Sequence, residues 1–189
     1  LLEDPFEEKT SMDNNFDTSL HKIHCILGYL AEFHAEFWNY HEFKDNTLQW
    51  LIDLSSQMNE LKSFYIKKWE TFDEQFKLKM SSEEYNYCKT LPTRMEDFFY
   101  AIDLPSMYTI CHCALSSKSV TLRNNELDSE FKFNVKSPCI VQEWGMVCKT
   151  LGVVDLSYFL YTCVDRDILT ECENRLVRKY FYVLCTSGV

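Results

Sequence analysis

Between Phe43 and Met80 the chain contains neither glycine nor proline, and its apolar residues fall at Leu48, Leu51, Leu54, Met58, Leu61, Tyr65, Trp69, Phe72, Phe76 and Met80. The steps are threes and fours, the face of one amphipathic α-helix. Eight steps cover the 29 residues from Leu51 to Met80, a mean of about 3.6, which suits a straight helix rather than a left-handed supercoil. A helix over 43–80 would be roughly 57 Å long. Trp50, Ile52, Phe64 and Ile66 lie off the stripe and widen it. The expectation is a mainly α fold, a helical bundle around a long central helix at about 43–80.

The rest of the chain is read as packing against that helix. Residues 1–15 are acidic and polar and read as an extended arm. Residues 16–189 then form one helical domain. Asp17, Thr18 or Ser19 can cap a helix running to about His41, so that 16–80 is a helical hairpin. Gly28 inside the first helix costs about 1 kcal/mol against alanine unless another helix approaches closely there. Residues 81–117 carry short helices. Ser81 and Glu84 fit a capping box, Thr93 and Glu96 fit a second, and Ser106 can start a third segment over Met107 to Leu115.

The period then changes from helical to alternating. Ser119 to Leu122 and Phe131 to Lys136 flank a polar stretch, which predicts a small β-hairpin at about 118–136. Residues 137–189 return to helices. Ser137-Pro138 starts the first, Gly152 ends it, Asp155 caps the next over Leu156 to Cys163, and Asp165 or Asp167 caps the last.

Composition bounds the function. The 189 residues are 46% apolar and 15% aromatic, and 25% are charged, with a formal net charge of −10. That is a globular inventory. The negative balance disfavours nucleic acid and anionic membrane surfaces, which reward clustered Lys and Arg. No apolar run approaches the ~20 residues needed to cross a bilayer, so no membrane insertion is expected. The nine cysteines are odd in number and lie mostly in apolar helical patterns. Free cysteine packs as a small hydrophobe, which favours a reducing, cytoplasmic compartment. The alternative is a secreted chain bridged through its C-terminal cysteines.

Few residue clusters invite chemistry. His21 and His24, three apart, can face one metal ion, and Cys111-His112-Cys113 offers two thiolates at close spacing. Phosphate-binding glycine loops, Gly-x-Ser-x-Gly and His-Glu-x-x-His are all missing from the sequence, so no catalytic residue and no cofactor is assigned and an enzyme is disfavoured. Cys139/Cys148 and Cys163/Cys172 repeat one spacing, but nine residues along a helix turn two sulfurs to opposite faces. The favoured expectation is a non-enzymatic protein–protein interaction module, a subunit or adaptor-like regulator with a protein partner. Aromatic residues anchor such interfaces, and Trp50, Phe64, Trp69, Phe131 and Phe133 are the candidate contacts. The alternatives are a secreted disulfide-stabilised ligand or effector, and a metal protein or enzyme using His21, His24, Cys111 and Cys113.

Overall fold

The computed structural model describes residues 19–44, 46–122 and 139–189. Among them are five α-helices: α1 (Leu20–Glu36), α2 (Met58–Phe76), α3 (Ser82–Ile102), α4 (Val153–Cys163) and α5 (Arg166–Thr186). Four three-residue strands accompany them: β1 (Thr109–Cys111), β2 (Val120–Leu122), β3 (Cys139–Val141) and β4 (Cys148–Thr150). The chain is mainly α with small antiparallel pairings. No helix among the described residues is long and apolar enough to cross a membrane. The predicted arm at 1–15, the caps Asp17 and Thr18, and Phe131 and Phe133 lie outside the described residues.

Contacts gather the chain into two units. Among the described residues, the first draws on 19–33, 114–122, 139–144 and Asp155–Val189. Its helices bury Ile23, Ile26, Leu27 and Leu30 on α1, Leu156, Phe159 and Leu160 on α4, and Leu176, Tyr180 and Leu184 on α5. Each fully buried side chain of this size contributes about 1.5–3 kcal/mol. The Asp165 carboxylate caps α5 by accepting from the Asp167 amide at 2.8 Å. β2 pairs antiparallel with β3, Val120 opposite Val141 and Leu122 opposite Cys139.

The second unit comprises His34–Cys113 and Gly145–Val154. β1 pairs antiparallel with β4, Thr109 opposite Thr150 and Cys111 opposite Cys148. The Ser81 hydroxyl accepts from the Glu84 amide, and the Glu84 carboxylate accepts from the Ser81 amide at 2.8 Å, so the predicted capping box starts α3. The pairs Lys62 with Glu96, Tyr65 with Cys88 and Trp69 with Tyr85 step in opposite directions along α2 and α3. The two helices therefore form an antiparallel hairpin.

Five expectations need correction. The central helix does not span 43–80; it begins at Met58, after 3-10 turns at His41–Phe43, Asn46–Leu48 and Leu54–Gln57. The Asp53 carboxylate accepts from the Ser55 amide and hydroxyl at 3.0 and 2.8 Å, and the Lys149 amide donates to the Ile52 carbonyl at 2.8 Å. A side-chain cap and a strand-like pairing thus take the backbone that the periodic pattern assigned to helix. The β-hairpin closes differently too. β2 lies where expected, but its partner is Cys139–Val141, and the predicted strand at 131–136 lies outside the described residues. The helix predicted from Ser137 to Leu151 is instead β3, a 3-10 turn at Trp144–Met146, and β4, with Glu143 between them at φ +66°, which no α-helix accommodates. Likewise Met107 to Leu115 is a 3-10 turn and β1 rather than a helix. Finally, the two capping boxes do not make two helices, because α3 runs unbroken from Ser82 through Pro92.

Pro92 carries no amide hydrogen, so the Cys88 carbonyl four residues earlier loses its helical donor. The Tyr65 hydroxyl on α2 donates to that carbonyl at 2.8 Å. A side chain of the neighbouring helix thereby replaces the missing intrahelical bond, and α3 continues.

Candidate docking groove

The α2–α3 hairpin has one half-buried seam and one open apolar face. Tyr65, Trp69, Phe72 and Phe76 form a ladder along α2 with ring centroids 6.0, 5.6 and 4.9 Å apart, and Tyr85 of α3 joins it at 5.9 Å from Trp69. An ion pair between Lys62 and Glu96 ties the hairpin near its open end. The Tyr85 phenol is held above its ordinary range, first by its hydrogen bond to Asp73 and then by burial. The Tyr65 phenol is pushed up by burial first and by Cys88 second.

Beside this seam lies a groove of about 410 Å³ lined by Leu61, Phe64 and Tyr65 of α2 and by Tyr87, Leu91, Arg94, Met95, Phe98 and Phe99 of α3. Its walls are open to solvent. Phe64 is 60% exposed, Tyr87 52% and Phe98 49%. Large aromatic rings left in water at this density mark a binding surface more often than scattered apolar residues do. Two cations sit on the walls: the Lys68 ammonium 5.8 Å from the Phe64 ring centroid and the Arg94 guanidinium 4.9 Å from that of Tyr87. Cations over ring faces are attracted by the ring quadrupole, so positive charge is fixed at both rims. Tyr87, Leu91, Arg94, Met95 and Phe98 are spaced four, three, one and three apart. That helical stripe is readable in the sequence once Pro92 is allowed inside a helix.

The sequence-predicted contacts divide accordingly. Phe64 is a groove wall. Trp69 is half-buried in the aromatic ladder. Trp50 is 65% exposed and lies outside the lining. The metal candidates fall in different places. His21 Nε2 stands 3.7 Å from Cys25 Sγ on α1. His24 is half-buried, and burial followed by the charges of Arg175 and Lys179 lowers its pKa; those charges oppose a metal cation as they oppose a proton. Cys111 Sγ is buried 3.9 Å from His34 Nε2, whereas Cys113 Sγ lies 2.9 Å from Cys148 Sγ. The two sulfurs of Cys111-His112-Cys113 thus face different neighbours. Family models, curated proteins and solved structures give no match to this chain. The groove and the thiols must therefore be read from their own chemistry.

Proposed function

We propose that the protein is a non-enzymatic interaction module that holds one amphipathic helix of a partner protein in the α2–α3 groove. The exposed aromatic walls capped by Lys68 and Arg94 carry this reading. A helix laid in an apolar groove is a recurring recognition mode, read by anchors at i, i+3, i+4 and i+7. The fixed cations select acidic residues flanking the occupant's apolar stripe, because complementary charge sets register and partner choice. Charge within the hairpin also differs from that of the chain as a whole. Residues 58–102 hold seven of the 19 basic residues and eight of the 29 acidic ones, so an acidic-flanked helix meets little net repulsion there.

The test uses a labelled synthetic helical peptide with Leu and Phe anchors and Glu flanks, followed by fluorescence anisotropy. It should bind saturably, and the same peptide with Lys flanks more weakly. The double substitution Phe64→Glu and Phe98→Glu removes two exposed walls, and affinity should fall by about 30-fold or more, the loss of one hot spot worth about 2 kcal/mol. Equal binding of both peptides, or binding unchanged by the double substitution, overturns the proposal. A concentration-dependent dimer abolished by the same substitutions overturns the occupant, which would then be a second copy of the chain.

A further inference from the structure

Two thiols of the second unit meet away from the docking groove. Cys148 opens β4, and Cys113 follows β1 by two residues. Their sulfurs stand 2.9 Å apart. The approach is set by backbone. The β1–β4 ladder places Cys111 opposite Cys148, and Cys113 takes φ +60°, the left-handed region that residues other than Gly, Asn and Asp seldom adopt. A non-glycine residue held in that conformation is an outlier that the surrounding structure maintains, and such outliers cluster at functional sites.

The geometry points to a redox-modification site in which Cys113 and Cys148 form an intramolecular disulfide on meeting a low-molecular-weight disulfide such as oxidised glutathione. Cys113 is half-buried and Cys148 is buried, so the small disulfide reaches Cys113 first. The Cys113 thiolate attacks one glutathione sulfur, the glutathione S–S bond breaks, and one glutathione thiolate leaves. The Cys148 thiolate then attacks the Cys113 sulfur, the mixed disulfide breaks, and the second glutathione thiolate leaves. The two cysteines together lose two electrons, oxidised glutathione gains them, and the two thiol protons end on the two released glutathione molecules.

Three of the other thiols are poorer competitors. Burial pushes the Cys139 thiol up to about 12 and holds those of Cys25 and Cys163 above the ordinary range. The thiolate is the reactive form, so these three exchange slowly. The new bond ties the end of β1 to β4, the strand whose Lys149 amide holds the Ile52 carbonyl. It does not depend on the docking reading.

The full chain is equilibrated in glutathione buffers of rising oxidised fraction, quenched with acid, alkylated and mapped by proteolysis and mass spectrometry. The first bridge to appear should join Cys113 to Cys148 and leave seven of the nine cysteines alkylated. In Cys148→Ala the reaction should stop at a glutathione adduct on Cys113. Nine alkylated cysteines across the whole range, or a first bridge between any other pair, overturns the proposal on the unsubstituted chain without recourse to variants. An adduct on another cysteine in Cys148→Ala overturns the order of attack.

Discussion

Gly28 sits inside α1 and, apart from its own helix backbone, no atom lies within 4 Å of the place a Cβ would occupy. Its cost to the helix is therefore not offset by a close approach, and Gly28→Ala should stabilise the chain by about 1 kcal/mol, read as a higher urea midpoint. Tyr108 behaves in the opposite way. It is 2% exposed, and its hydroxyl donates to Asp103 Oδ1 at 2.9 Å. Burial foremost, with the Asp103 hydrogen bond and the charges of Asp53 and Asp103, raises its pKa above the ordinary tyrosine value. A folded-state pKa above the unfolded value of about 10 means the neutral phenol's contribution is complete below pH ~10 and is lost as pH rises through the higher folded value. Tyr108→Phe should cost about 1 kcal/mol at neutral pH. It should also make the alkaline fall in stability shallower, which urea titrations at neutral and alkaline pH would register; an unchanged alkaline slope contradicts the assignment. His24 has the reverse sign. Its lowered pKa means stability is intact above pH ~6.5 and declines as pH falls through the folded value, and His24→Gln should blunt that decline.

At the scale of elements, Pro92 inside α3 supplies the sharpest test. Tyr65→Phe leaves the Cys88 carbonyl without a donor, at a cost of about 1–3 kcal/mol. Pro92→Ala returns the helical amide, so Tyr65→Phe should cost less in the Pro92→Ala background. A double-mutant cycle measured by urea unfolding should give a coupling of about 1 kcal/mol, and strict additivity would mean the hydroxyl does not replace the helical bond. The same proline explains why α3 is not legible as one helix. A proline inside a periodic run signals a stop, and only the Tyr65 hydroxyl on another element cancels it. Helices whose caps are local are legible: the Ser81–Glu84 box and the Asp165 cap both appear where the sequence places them. Elements that depend on distant partners are not. β1 and β4 are three residues each and pair residues about 40 apart in the chain, while the apolar spacing from Ile140 to Leu151 fits a helix equally well. Likewise the stripe from Leu48 to Leu54 keeps its period, but Asp53 and Lys149 spend its backbone elsewhere.

For the molecule as a whole, the apolar surface was more legible than the thiol pair. Phe64 lies off the main helical stripe, and that alone marks it as a ring its own helix pair does not cover. No spacing rule joins Cys113 to Cys148, since 35 positions separate them and only the β1–β4 register brings them together. Charge distribution ties the surface to solution behaviour. A net charge of −10 at neutral pH keeps copies of the chain apart, while the near-balanced hairpin presents Phe64, Tyr87 and Phe98 to solvent. As pH falls toward the isoelectric point near 5.0, long-range repulsion fades and the apolar groove face is free to associate. Light scattering should therefore rise steeply near pH 5 and fall back on returning to neutral pH. Phe64→Glu with Phe98→Glu should suppress much of that rise, whereas Leu78→Glu, which changes a residue 99% exposed but outside the groove lining, should suppress far less. Equal suppression by both would trace the effect to added charge alone and take the groove out of the explanation.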